Sequence, residues 1–247
     1  MLIQPVVCSR EKGMTPCLQK FWSWAWDHRE WILYPDIYCD TSSIYESYDS
    51  GYQKYASLDS FTRKNELVFI FMHDDVEIIS TPYEVSKYLE LALKPGVGFV
   101  GVAGATELNS KAIWWESRKT GNTRGFVFQG NDPVTMTPNW FGVHGQTLCL
   151  DGCFMAASYN TLEKLGGIKK PKYLSSNWDF YDISTTFEAH LKGFNNYTVP
   201  IIVRHESPGL MREGWETSRQ EFIKEFRPLL PCRLPVDKTQ GYNGLLN

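Results

Sequence analysis

The six-residue apolar run Leu67-Val68-Phe69-Ile70-Phe71-Met72 stops abruptly at His73-Asp74-Asp75, and this junction constrains the fold more than any other stretch of the chain. A run so short and so continuously apolar predicts a strand buried on both faces, as in a parallel sheet covered by helices. In an open α/β sheet the ligand crevice lies beyond the carboxyl ends of the strands. Three ionisable residues at such an end are placed to hold a divalent cation, a phosphate, or both.

Composition is consistent with this and excludes several classes. With 247 residues, 43% of them apolar and 15% aromatic, the chain can bury a sizeable core. Its net charge of −3 gives no general attraction to nucleic acid or to acidic membrane. No apolar stretch reaches the length of a membrane span. The segment Met1-Leu2-Ile3-Gln4-Pro5-Val6-Val7 lacks the basic start and long apolar core of a signal peptide and predicts a first strand, so a cytoplasmic location is expected. The cysteines, at positions 8, 17, 39, 149, 153 and 232, read as ordinary reduced thiols. Cys149-x3-Cys153 has no second Cys or His pair at zinc-finger spacing.

Strand and helix signals alternate along the chain. Thr15-Pro16 predicts an N-cap and N1 proline opening a helix through Phe21, Trp24 and Trp26, followed by a strand at Trp31-Ile32-Leu33-Tyr34. Thr81-Pro82-Tyr83-Glu84 is a capping box, and its helix should run to Lys94-Pro95-Gly96. Val97 to Ala103 is the next strand. The irregular stretch 104–147 is too long for a simple connection and reads as a functional insert carrying a small antiparallel hairpin. Thr147-Leu148-Cys149-Leu150 stops at Asp151-Gly152. Helices are expected near Thr161 to Leu165, closed by Gly166, at Asp182 to Lys192, closed by Gly193, and at Thr217 to Phe226. Tyr197 to Val203 predicts a strand interrupted by Pro200, suited to an edge or a bulge, and ending at Arg204-His205.

Three strands thus end in a possible ligand: His73 to Asp75, Asp151 and His205. Singly each is weak, because polar residues commonly terminate strands and a lone histidine is more often a hydrogen-bonded structural residue. Together, carboxylates with an imidazole suit Mn²⁺ or Mg²⁺ better than a closed zinc site.

The order of motifs carries a resemblance. Phe71-Met72-His73-Asp74-Asp75-Val76 comes first, then Gly101-Val102-Ala103-Gly104 with Trp114-Trp115, then Leu150-Asp151-Gly152-Cys153-Phe154-Met155-Ala156. Trp178-Asp179-Phe180-Tyr181-Asp182-Ile183 and Arg204-His205-Glu206-Ser207 complete the series. Over about residues 65 to 210 the chain resembles family 2 glycosyltransferases of the GT-A fold, in the branch whose D-x-D metal motif begins with His.

The resemblance implies roles residue by residue. Asp75 matches the last carboxylate of the metal motif, and His205 the late-strand histidine that completes the metal shell. His73 stands where the family usually has its first Asp, so it is read either as a metal ligand or as a contact to ribose or bound water. Asp74 is read equally as part of the donor site or as a residue bonded to neighbouring backbone amides. Asp182 matches the catalytic carboxylate that deprotonates the acceptor hydroxyl, although its spacing also suits a helix N-cap. The family's second acid, two residues later, is Ser184 here. Asp151 and Gly152 match the sugar or acceptor pocket, with Asp179 beside it, and Trp114, Trp115 and Trp178 are candidates for stacking on a sugar or base. Pro5, Ser9 and Asp36 occupy positions that contact the nucleoside, and Lys54 and Arg10 could meet diphosphate oxygens.

The expected architecture is an α/β, GT-A-like (Rossmann-like) domain over residues 1–227, with a mostly parallel central sheet flanked by helices and a small antiparallel element in the 104–147 insert. A Pro-rich tail, 228–247, follows. The expected activity is metal-dependent, inverting glycosyl transfer from a nucleotide-diphosphate sugar, with UDP-sugar favoured by the resemblance, to a carbohydrate or other hydroxyl acceptor. Mn²⁺ is preferred over Mg²⁺ because an imidazole ligand suits it. No nucleic-acid partner is expected, and the sequence leaves the oligomeric state open. The alternatives are a nucleotidyltransferase or sugar-phosphate pyrophosphorylase, whose Gly-rich phosphate loop is missing from Cys8-Ser9-Arg10-Glu11-Lys12-Gly13, and a non-catalytic nucleotide-sugar-binding protein of the same fold.

Overall fold

The computed structural model describes residues 1–10, 15–130, 135–207 and 211–235. In chain order the elements are β1 (Leu2–Cys8), α1 (Pro16–Trp26), β2 (Asp36–Tyr38), α2 (Ile44–Ala56), β3 (Leu67–His73), β4 (Val76–Ile78), α3 (Pro82–Leu89), β5 (Val97–Gly101), β6 (Ala103–Ala105) and β7 (Glu107–Leu108). They continue with β8 (Thr123–Gln129), β9 (Thr137–Gly142), β10 (Gln146–Thr147), β11 (Cys149–Leu150), β12 (Phe154–Ser158), α4 (Tyr159–Leu165), α5 (Tyr181–Leu191), β13 (Asn195–Thr198), β14 (Val203–His205), α6 (Glu213–Phe226) and β15 (Cys232–Arg233).

The apolar run of β3 is buried from Leu67 to Met72. It pairs in parallel with β1 along its whole length and antiparallel with β12. The seven-stranded sheet has the order β10-β13-β5-β12-β3-β1-β2. Its strands are mostly parallel, with β12 and β10 reversed. Tyr48, Tyr52 and Tyr55 recur on one face of α2 and set their rings on Phe71 and Phe69, with centroids 5.0, 6.2 and 5.8 Å apart. Burying each phenylalanine stabilises the fold by roughly 1.5–3 kcal/mol. The helix lies close because Gly51 faces β1, where a Cβ would stand 2.5 Å from Val6.

A second, six-stranded sheet runs β11-β6-β8-β14-β4, with β9 added on β8. It contains the antiparallel element expected in the insert and extends it by recruiting β4, β11 and β14 from outside. The chain passes repeatedly between the two sheets, and three of its changes, between β5 and β6, between β10 and β11, and between β13 and β14, fall within or directly after a single apolar run. Close approach of β6 and β11 requires Gly104, where a Cβ would lie 2.2 Å from the Cys149 carbonyl oxygen.

Local signals act where expected. Thr15 caps α1 and Thr81 with Glu84 forms the capping box of α3. Gly166 closes α4 in a left-handed conformation at φ 84°. Two strand expectations are corrected. Trp31 to Tyr34 makes only the isolated bridge Ile3–Ile32, and the ladder against β1 resumes at Asp36, beyond Pro35, which has no N–H to donate. Tyr197 to Val203 is not one edge strand but two interior ones: β13 lies between β10 and β5, and β14 between β8 and β4. Pro200 falls at the switch, where Ile201 N bonds Val199 O in a tight turn at 2.8 Å. After α6 the chain pairs β15 with β7. The remainder of the Pro-rich tail lies outside the described residues. No helix is long and apolar enough to cross a membrane among the described residues, and all six cysteines are free.

Candidate active site

The carboxyl ends of β1, β3 and β14 meet at an open cleft of about 620 Å³, lined among others by Ser9, Arg10, Thr41, His73, Asp74, Asp75, Trp178, Asp179, His205 and Arg212. This is the size of a small-molecule site. Antiparallel pairing of β14 with β4 sets His205 opposite Val76, beside Asp75, and Glu206 N donates to the Asp75 carbonyl at 2.8 Å. The register is held by the buried Arg204, which donates to Glu77 Oε2 through Nε at 2.9 Å and Nη2 at 2.6 Å and pairs with Glu206 at 2.5 Å. The result brings His73, Asp75 and His205 together. His73 Nδ1 lies 3.4 Å from His205 Nε2, and Asp75 Oδ1 lies 3.3 Å from His205 Nε2 and 3.7 Å from His73 Nδ1.

This triangle fits a divalent cation. Among the described residues, no hydrogen bond reaches the buried Asp75 Oδ1, an arrangement that is costly unless something cationic completes it. Neighbouring ligands of an octahedral ion bound at about 2.1 Å stand about 3 Å apart, close to the observed spacings. Two imidazoles and one carboxylate suit Mn²⁺ better than Mg²⁺. Burial, and then the charge of His205, push His73 down to about 4, so its imidazole is neutral at pH 7. Burial raises Asp75, but the approach of His205 and His73 and the charge of Arg10 more than reverse this and hold the carboxyl well below the usual range.

Asp74 has a different setting. One oxygen accepts from Ser9 Oγ at 3.0 Å and Arg10 N at 2.9 Å, and the other from Arg10 Nη2 at 3.1 Å. It ties the end of β1 to the end of β3. Arg10 also donates to Asp75 Oδ2 at 2.6 Å, so it orients the carboxylate whose other oxygen faces the histidines.

On the far side of His73 lies the turn at Gly152. Its N–H donates to Asp182 Oδ2 at 2.9 Å, and its carbonyl accepts from Tyr181 Oη at 2.9 Å. The same hydroxyl lies 2.5 Å from His73 Nε2. Gly152 is obligatory, because a Cβ there would stand 2.0 Å from Tyr181 Oη. Asp182 is not the N-cap of α5; that place is taken by Phe180, in a left-handed conformation at φ 63°. Asp182 sits in the first turn, where its Oδ1 accepts from Ile183 N at 2.8 Å. Burial first, and the Asp151 carboxylate second, push Asp182 up to about 7. Asp151, half-buried, accepts from Cys153 N at 3.0 Å through Oδ1.

Several other candidates lie elsewhere. Trp114 is only 2% exposed and packs against Phe141 and Trp115, while Trp115 packs against Trp215. Neither lines the cleft. Asp36 and Lys54 bond each other at 2.6 Å, away from it, because Asp36 opens β2 and only the opposite end of that strand reaches the site. Pro5 is buried in the middle of β1, opposite Ile70. Ser184 is buried, with its hydroxyl 3.1 Å from Tyr45 Oη and donating to the Tyr181 carbonyl at 3.1 Å. Trp178 is 48% exposed at the cleft wall. Two further residues join the site: Arg212 lines the cleft and Tyr181 bonds His73. The sequence signal for Tyr181 is its place directly before Asp182, whereas nothing in its local sequence marks Arg212.

A family model described as a glycosyltransferase-like family matches residues 37–226, well over half of the chain. The chain belongs to this glycosyltransferase-like family. No curated protein matches it. Among solved structures, this glycosyltransferase-like chain is similar to GalNAc-T7 with UDP, GalNAc and Mn²⁺, at 10% identity and TM-score 0.55, covering 92% of this chain and 48% of that one. It also matches a glycosyltransferase involved in glycosylation of the major capsid of PBCV-1, at 8% identity, TM-score 0.43, and 91% and 100% coverage. A third match is A197 from STIV, at 12% identity, TM-score 0.44, and 86% and 97% coverage. The fold is of the GT-A kind.

Proposed function

We propose that this protein is a metal-dependent, inverting glycosyltransferase that moves a sugar from a nucleoside-diphosphate donor to an acceptor hydroxyl. The observation that carries the reading is the pairing of a cation-competent triad, His73, Asp75 and His205, with a separate carboxylate, Asp182, raised into the range of a general base. When bound, a divalent cation would neutralise charge on the departing diphosphate. Arg10 and Asp74 shape the phosphate side of the cleft, and Trp178 offers an aromatic face for a sugar or base. Asp182, oriented by the Gly152 amide, takes the acceptor proton. One positioned base suits a single displacement with inversion. UDP and Mn²⁺ are the preferred donor base and ion, in keeping with the similarity to GalNAc-T7, and the six free thiols suit a reducing, cytoplasmic setting.

The test is turnover of a panel of nucleotide sugars with and without Mn²⁺, comparing wild type with Asp182→Asn, alongside nucleotide affinity of Asp75→Ala. Turnover that needs Mn²⁺ and is lost in Asp182→Asn is expected. If no donor binds or turns over, the transferase reading fails. If Asp75→Ala keeps metal-dependent nucleotide affinity, the triad is not the cation site.

A further inference from the structure

We infer that Tyr181 is a positioning residue: its hydroxyl fixes His73 in the Nε2–H tautomer, so that the Nδ1 lone pair is the atom presented to the cation triad. The inference rests on the reading of His73, Asp75 and His205 as a cation site, and it is argued from proton counting.

A tyrosine hydroxyl has one proton to donate and lone pairs with which to accept. Among the described residues Tyr181 Oη makes two hydrogen bonds, to the Gly152 carbonyl oxygen at 2.9 Å and with His73 Nε2 at 2.5 Å, while the neighbouring Tyr48 hydroxyl is buried without a hydrogen-bond partner. A carbonyl can only accept, so the single phenolic proton goes to Gly152. The hydroxyl oxygen is then an acceptor towards His73, and Nε2 must carry a proton to satisfy it. An imidazole that holds a cation keeps one proton for its two nitrogens, so with that proton on Nε2 the bare nitrogen is Nδ1. That nitrogen is the one facing His205 Nε2 at 3.4 Å and Asp75 Oδ1 at 3.7 Å. The opposite tautomer would aim an N–H into the triad and set Nε2 and the Gly152 carbonyl in competition for one proton. Tyr181 is buried and held at ring-to-ring distances of 5.8 Å from Tyr48 and 6.4 Å from Tyr45, so it has little freedom to turn its hydroxyl elsewhere.

The carbonyl that takes the tyrosine proton belongs to the residue whose N–H holds Asp182. A single residue, Gly152, therefore orients both the imidazole on the cation side and the carboxylate on the acceptor side. Hydrogen-bond partners of metal-binding histidines commonly set which nitrogen is available in this way.

The decisive measurement is long-range ¹H–¹⁵N correlation NMR on the cation-free, ¹⁵N-histidine-labelled protein, with the His73 signals assigned by their loss in His73→Gln. Wild type should show a protonated Nε2 and a bare Nδ1, and Tyr181→Phe should show a mixture of tautomers. Mn²⁺ affinity, followed by water-proton relaxation, should fall about 10- to 100-fold in Tyr181→Phe, with circular dichroism confirming that the variant is folded. A wild-type His73 protonated on Nδ1 overturns the inference, and this reading needs no variant. So does a Tyr181→Phe protein with unchanged tautomer and unchanged affinity. If neither protein binds Mn²⁺, the cation reading fails by itself, and the wild-type tautomer still decides what Tyr181 does.

Discussion

The amide of Gly152 donates to Asp182 Oδ2 at 2.9 Å across a gap that leaves no room for a side chain, since a Cβ at Gly152 would stand 2.8 Å from Asp182 Cβ. Gly152→Ala must therefore move Asp182, Tyr181, or both. A displacement near 1 Å at a reacting centre costs on the order of 10²-fold in rate. The expected outcome is a loss of that order in kcat/KM, together with a lowered Tm. An alanine variant within twofold of wild type would show that the turn does not hold the base.

Asp182 also makes pH a probe. Its folded-state value, near 7, lies above the ordinary 3.8. Its contribution to stability is therefore full below the ordinary value and is lost as pH rises through about 7. Activity runs the opposite way, because only the ionised form accepts a proton. We expect kcat/KM to rise through about pH 7 and then level off, and Asp182→Asn to lose about 10²- to 10⁴-fold in rate. In Asp182→Asn, the matching decline of Tm between about pH 4 and 7 should be reduced. A wild-type rate that is flat across neutrality would count against Asp182 as the base.

Arg204 is held by Glu77 and Glu206 with its side chain only 3% exposed. Removing one partner of a buried ion pair leaves the others uncompensated, typically at 3–5 kcal/mol. Glu77 and Glu206 are partly solvated, which lowers the expected cost of Arg204→Ala to roughly 3 kcal/mol. Urea unfolding measures it directly. Because Arg204 precedes His205, the folded variant should also bind Mn²⁺ more weakly.

Trp114 and Trp178 should separate stability from binding. Trp114→Ala removes a buried ring and is expected to cost about 3–5 kcal/mol in denaturant unfolding. Trp178→Ala, at an exposed wall of the cleft, should cost within about 0.5 kcal/mol of stability while raising KM for donor or acceptor. The reverse pattern would move the sugar site towards the insert.

What could be read from the sequence divides along physical lines. β3, the capping box at Thr81 and the glycine closures of α4 and α5 are local, because neighbouring residues determine them. The end of Trp31 to Tyr34 turned on Pro35, whose missing N–H shifts the ladder by a few residues. The change of sheet at Val102 was not legible, since Val97 to Ala103 looks like one apolar strand whichever sheet its parts join. Trp114 offers the same apolar ring to a core or to a sugar, and only its burial distinguishes them. Tyr181 carries no local signal because its partners are a carbonyl 29 residues away and an imidazole 108 residues away, a meeting fixed by the packing of α5 against the sheets.

His73 ends a strand of the larger sheet and His205 ends a strand of the smaller one. An ion gripped by both would act as a removable staple across the seam between two halves of the protein. At a free concentration one hundred times its Kd, such a staple adds about 2.7 kcal/mol to the folded state. Loading the site would then do more than prepare chemistry: it would tie the ends of β3 and β14 together across the two sheets.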